Sequence, residues 1–276
     1  MRRLSFSSWS PSLASPQASV RLSPPDAGTH EKTEFFFIVS FSCEPADATF
    51  DSPHHHMVEF HASQWYTNFM EKSAYLLDPC GASSLPFWKT NSITIPDDLL
   101  ILREGDPRLQ EACPSYVDTP YFKLIHRLEK TCSPCLPDGF HFIRPNVRDM
   151  SRHIAFCYDK ERASEDELFA YRQRPTYSPD LWLAILDETM GKIIASGIAE
   201  VDRDIREGVL EWIQVSPTHR RRGWGRIIVK ELLYRMTGRA DFVTVSGKLD
   251  DPSDPRAVYA SCGFDGEVVW HVLRKA

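Results

Sequence analysis

The chain has 276 residues, of which 42% are hydrophobic and 12% aromatic, and carries a formal net charge of −6. That is too apolar for wholesale disorder and ample for a packed core of one large or two small domains, while the acidic total and the lack of an extended basic face argue against nucleic-acid binding. No apolar run approaches the roughly 18–20 residues that cross a bilayer, so no membrane partner is expected.

Residues 1–56 are rich in Ser and Pro and carry no acid before Asp26. Such a composition cannot bury enough surface to offset its ordering entropy, so a disordered tail is expected. The Arg- and Ser-rich, acid-poor character also fits a transit peptide, although the prolines at 11, 16, 24 and 25 would break its amphipathic helix. A third reading makes Met57 the working start. The run FFFIVSF at 35–41 is far too short to span a membrane, and HHH at 54–56, set beside prolines and aspartates, reads as exposed loop. Residues 57–137 read as an irregular α/β extension that packs on the domain after it and carries no chemical motif. Within it, 58–77 has helical spacing, LPFWKTNSITIP (85–96) and LLILRE (99–104) read as short strands, and PYFKLIHRLEK (120–130) reads as a short helix. Cys132 and Cys135 form a CxxC without two further ligands nearby, so no metal is expected. The seven cysteines are odd in number and irregularly spaced, which argues for a reducing, cytoplasmic setting.

From 138 to 276 the pattern becomes regular. A strand (139–146) is followed by a helix (147–160) and a second helix (164–174) opened by a capping box of Ser164 and Glu167. Three strands follow at 181–188, 192–202 and 208–216, with tight turns around Gly191 and Gly208. A helix over about 223–237, a β-branched strand at 242–247, a short helix at 255–262 stopped by Gly263 and a last strand at 266–274 complete the order. This is an α/β fold with a mostly antiparallel central sheet flanked by helices.

The sequence HRRRGWGRIIVKELL (219–233) gathers four arginines and two glycines in front of a helix, in an otherwise acidic chain. The first turn of a helix has unpaired N–H groups and a partial positive charge. Gly223 and Gly225 let an anion approach those groups, and Arg220, Arg221, Arg222 and Arg226 add charge. The ligand implied is a phosphate or pyrophosphate. The spacing is neither GxGxxG nor that of a P-loop.

Arg220-Arg221-Arg222-Gly223-Trp224-Gly225 resembles the [Q/R]xxGx[G/A] motif of the GNAT superfamily of acetyl-CoA-dependent N-acetyltransferases, and Tyr259-Ala260-Ser261-Cys262-Gly263-Phe264 resembles its YxxxGF signature. The resemblance covers about residues 138–274, and the wider pattern is similar to a bacterial-type subgroup of unassigned substrate. It implies a GNAT-like mixed sheet, a CoA pyrophosphate held by the amides of the first motif, and a pantetheine arm lying between strands 208–216 and 242–247, which splay apart. Cofactor-binding residues implied are Ile213, Val215, Arg220 to Arg226, Ser253 and Tyr259. Many relatives carry an asparagine near the following helix; residues 238–264 hold none, and Asp250, Asp251, Ser253 and Asp254 stand there instead.

Acetyl transfer needs a neutral amine, so a base removes its proton and an acid protonates the departing thiolate. The resemblance puts Tyr259 beside the sulfur as the acid, against a plain core tyrosine. Glu211 is the candidate base, as the acid inside the run VLEWIQV and expected to share a face with Val209, Ile213 and Val215; a structural salt bridge is the alternative. Glu200 and Asp202 are rivals on the preceding strand. Cys262 lies near the thioester region but ends a helix, and Trp212 and Trp224 read as packing residues. The expected partners are acetyl-CoA and an amine acceptor, small molecule or peptide, with the chain a monomer or homodimer. A catalytically silent CoA-binding module is the alternative. A phosphoprotein- or nucleotide-binding domain would show no CoA affinity.

Overall fold

The computed structural model describes residues 70–276, apart from 113 and 159–161. The tail 1–56, the FFFIVSF run, HHH and the start of the 58–77 helix lie outside the described residues. The helices are α1 (Lys72–Leu77), α2 (Pro79–Ala82), α3 (Phe87–Thr90), α4 (Arg108–Ala112), α5 (Val147–Cys157), α6 (Glu165–Tyr171), α7 (Trp224–Met236) and α8 (Pro255–Ala260). The strands are β1 (Leu99–Arg103), β2 (Tyr116–His126), β3 (Phe140–Ile143), β4 (Trp182–Asp187), β5 (Lys192–Asp202), β6 (Glu207–Val215), β7 (Phe242–Lys248) and β8 (Asp265–Lys275). They form one eight-stranded sheet in the order β1-β8-β2-β7-β6-β5-β4-β3. Every pairing is antiparallel except β6 with β7.

The two faces of the sheet are covered by different helices. Ile228, Val229, Leu232 and Met236 of α7 pack on Leu183, Ile194, Leu210 and Val245. Helix α7 lies so close to the sheet that a Cβ at Gly197 would stand 2.7 Å from Ile228 and 3.0 Å from Leu232. On the opposite face, Met150 and Ile154 of α5 and Leu168 and Tyr171 of α6 pack on Trp182, Ile198 and Trp212. The capping box of Ser164 and Glu167 forms as the sequence predicts. From β3 onward each expected element is present.

The segment 57–137 differs from its sequence reading at two places. Residues 85–96 hold one helical turn, α3, instead of a strand, and 120–130 hold most of β2 instead of a helix. Strand β2 lies inside the sheet, between β8 and β7, so Phe122, Lys123 and Leu124 are all buried. A lysine in a strand buried on both faces breaks the apolar run that would otherwise mark it. Lys123 is tolerated there because Nζ donates to the carbonyls of Pro79 (2.8 Å), Ser83 (2.7 Å) and Leu85 (2.9 Å). The segment thereby contributes an interior strand and is fastened to it by its own helices.

A second buried tie joins α1 and α3 to β6. Glu207 accepts from Tyr75 Oη (2.7 Å), from Thr244 Oγ1 (2.6 Å) and from the Phe87 N–H (3.0 Å). Burial pushes the Glu207 carboxyl up, with Lys123 and these donors opposing. Tyr75→Phe removes one donor to a buried acid, for which a loss of about 1.5–3 kcal/mol is expected. Urea unfolding checks this, and an unchanged midpoint would show that the bond adds nothing.

Candidate functional site

The parallel ladder between β6 and β7 is short. Glu207 pairs with Phe242, Gly208 with Val243 and Val209 with Thr244, and there it ends. On the other side of β6 the register with β5 slips: Gly197 faces Ile213 but Ala199 faces Leu210, so β6 carries one extra residue at Glu211–Trp212. From the bulge onward β6 no longer pairs with β7. The Ser216 N–H bonds to Ile194 on β5 at 2.8 Å. By antiparallel alternation, the amides of Val215 and Ile213 then point the other way, into the gap that β7 has left. The Ile213 carbonyl accepts from Tyr158 Oη (3.2 Å) and that of Val215 from Arg220 Nε (3.3 Å).

The basic loop lies where that gap meets the start of α7. Arg221 (φ 64°) and Gly223 (φ 83°) both adopt the left-handed conformation, which turns successive N–H groups toward one side. The first bond of the α7 ladder runs from the Ile227 N–H to the Gly223 carbonyl (3.1 Å), so the amides of Trp224, Gly225 and Arg226 precede it. Arg221, Arg222 and Arg226 are exposed. Arg220 is exposed as well, but its guanidinium donates to the carbonyls of Cys157 and Val215, bracing the loop against α5 and β6. Trp224 is buried, its ring 4.6 Å from that of Phe140. Three N–H groups at a helix start, four exposed arginines of which Arg220 braces the loop, and a strand edge turned away from β5 suit a pyrophosphate followed by an amide-bearing chain.

The same gap opens on the sheet's other face into a cleft that is continuous with solvent. Glu211 lines it. The bulge overturns the expected alternation: Leu210, Ile213 and Val215 face α7, whereas Trp212 packs under α5 and α6. Glu211 pairs with Lys89 of α3 at 2.7 Å, both side chains being almost wholly buried. Burial pushes the Glu211 carboxyl above its ordinary value, with Lys89 opposing, and pushes the Lys89 amine below its own. Beside them, Arg174 binds Glu200 at 2.7 Å and stacks on Tyr171 with its guanidinium carbon 3.3 Å from the ring centre. Asp202 accepts from the Asp204 N–H (2.9 Å) in the β5–β6 turn. The sequence offered no signal for Lys89, which sits in an ordinary-looking LPFWKT run.

Tyr259 on α8 is buried, with its ring 6.1 Å from Phe122, a cleft wall, and 5.6 Å from Phe264. Burial pushes its hydroxyl well above the ordinary tyrosine value, so it holds its proton. Ser253 is exposed in the loop before α8, its N–H bonded to Asp251 (2.8 Å). Cys262 is buried, and burial raises its thiol. Cys132 and Cys135 are exposed thiols. Among the described residues no cluster of three His, Cys, Asp or Glu side chains could hold a metal, and no helix is long and apolar enough to cross a membrane.

Behind the end of β6, His153 of α5 is held between Ser196 (Nδ1, 2.7 Å) and Ser216 (Nε2, 3.0 Å). Burial lowers its pKa from 6.5 to about 4. The folded protein keeps this ring neutral, while the unfolded chain takes up a proton below about 6.5. The contribution is therefore complete above pH 6.5 and is lost as pH falls toward 4. Urea-unfolding midpoints are expected to drop across that window, and His153→Gln should flatten the drop.

Residues 147–264 match the family described as Acetyltransferase (GNAT) family. No curated protein matches the sequence. Among solved structures, a GCN5-related N-acetyltransferase from Sphaerobacter thermophilus superposes with a TM-score of 0.55 at 16% identity, covering 64% of this chain and 58% of that one. A Drosophila protein superposes at 0.51 with 16% identity, covering 70% of this chain and 67% of that one. At such identities the likeness is one of fold. The chain thus spans little more than half the length of the Sphaerobacter enzyme.

Proposed function

We propose, since the chain belongs to the acetyltransferase (GNAT) family through residues 147–264, that it transfers an acetyl group from acetyl-CoA to a primary amine by direct attack of the amine on the thioester. The observation that carries this reading is the β6–β7 ladder ending after Val209 and Thr244, which leaves the amide edge of Ile213 and Val215 beside the loop 221–226. The loop amides and Arg221, Arg222 and Arg226 bind the pyrophosphate, and Arg220 braces the loop. The edge of β6 holds the pantetheine in the manner of an added strand. Glu211, at the gap's other mouth, takes the proton from the incoming ammonium. Its raised carboxyl moves toward the pKa range in which a base works near neutrality. Tyr259 gives its proton to the departing thiolate. Placing both reactants in one gap supplies much of the remaining rate.

A second reading, a CoA-binding module without turnover, is favoured by the 2.7 Å bond that engages Glu211 with Lys89. Calorimetry with CoA and thiol release from acetyl-CoA over a panel of amines separate the two. Affinity with turnover supports transfer, affinity alone supports the silent module, and no affinity sinks both.

A further inference from the structure

We infer that the acceptor is a monoamine on an aromatic or alkyl body, with no carboxylate, phosphate or second ammonium; this rests on the transferase reading and narrows it. The cleft on the acceptor side is built by three separate parts of the chain. Leu85 and Pro86 come from the turn before α3, Tyr121 and Phe122 from β2, and Trp270 and Val272 from β8. All six are apolar or aromatic, and none belongs to either signature motif. The Trp270 indole donates to the Cys80 carbonyl (2.9 Å), which fixes its ring in the wall. An acceptor body here meets hydrocarbon, and burying it releases water from both surfaces.

Charge settles the rest. Among the described residues that line the cleft, Glu211 is the one acid and Lys123 the one base. Lys123 already directs Nζ at three carbonyls within 2.9 Å, which accounts for the three protons of an ammonium. Lys89, next to the cleft, is paired with Glu211. Lys89 holds Oε1 of Glu211, so one ammonium meets that carboxylate through its other oxygen, at the floor and in line with the strand gap. A carboxylate or phosphate on the same acceptor finds no cation to replace its water, and a second ammonium finds no further acid. Leaving either charge dehydrated among these walls is costly.

The test uses the full chain with acetyl-CoA and three amines: 2-phenylethylamine, phenylalanine and 1,4-diaminobutane. Thiol release gives kcat/KM, and calorimetry on the CoA-loaded protein gives binding. The expected result is that 2-phenylethylamine exceeds each of the other two at least tenfold in both readouts. Equal or better turnover of phenylalanine or diaminobutane overturns the inference and leaves the transferase reading standing. Preferential binding of 2-phenylethylamine without thiol release supports the pocket assignment and overturns the transferase reading. Absence of binding by all three overturns the inference. As a second arm, Ser84→Arg places a cation at a half-buried position of the cleft. With circular dichroism unchanged, the ratio of phenylalanine to 2-phenylethylamine should rise about two- to fivefold, as expected for an ion pair near a surface. An unchanged ratio would overturn the placement of the acceptor body.

Discussion

Gly223→Glu is expected to lower CoA affinity by at least tenfold while the protein remains folded. The two effects have opposite signs, which makes the experiment informative. Gly223 has φ 83°, so any side chain there costs about 1–2 kcal/mol of backbone strain. A carboxylate at a helix start, however, recovers about 0.3–1 kcal/mol by facing the first-turn N–H groups. Stability should therefore change little. Binding should change a great deal, because that same carboxylate occupies the N–H groups of Trp224, Gly225 and Arg226 and repels a pyrophosphate. There is room for it: only Arg226 comes within 4 Å of a Cβ at Gly223. Gly223→Ala is the control for strain alone and should lose far less affinity than the glutamate. If calorimetry finds equal losses for the two, shape and not charge governs the loop. If Gly223→Glu binds CoA as the wild type does, the anion site lies elsewhere.

The second half of the sheet was legible because each strand and helix there obeys its own local rules. Residues 192–202 are β-branched and small, the capping box of Ser164 is local, and the motif around Gly223 is contiguous. The first half was misread where long-range contacts override local pattern. Lys123 makes sense only once Pro79, Ser83 and Leu85 fold over it. The same is true of Lys89, whose partner Glu211 lies 122 residues away. The bulge at Glu211–Trp212 was hidden for a different reason. A single extra residue leaves no mark on composition, yet it reverses which face each later side chain takes. Glu211 stood out correctly as a charge in an apolar strand, but on the wrong face, and the helix that pairs with it was read as a strand.

That pairing shapes the last expected result, which separates the acid from the base. Tyr259→Phe removes one hydroxyl and keeps the ring against Phe122 and Phe264. CoA binding should persist and kcat should fall about 10- to 10³-fold, because only the stabilisation of the departing thiolate is lost. Near wild-type kcat across the pH range would remove Tyr259 from the acid role. Glu211→Gln is harder to interpret by itself. It strips the counter-ion from Lys89, which is fully buried, and breaking such a pair costs about 3–5 kcal/mol. A loss of activity could then be a loss of fold. The double variant Lys89→Met with Glu211→Gln removes both charges and should recover most of that stability in urea. If Glu211 is the base, this double variant still lacks one. Its activity should be low at neutral pH, the acidic limb of the wild-type profile should flatten, and turnover should rise at high pH, where the amine loses its proton unaided. Recovery of full activity together with stability would instead make the pair purely structural. The base role would then pass to Glu200, whose carboxylate lies in the same buried cluster beside Arg174, or to a proton lost before the amine enters the cleft.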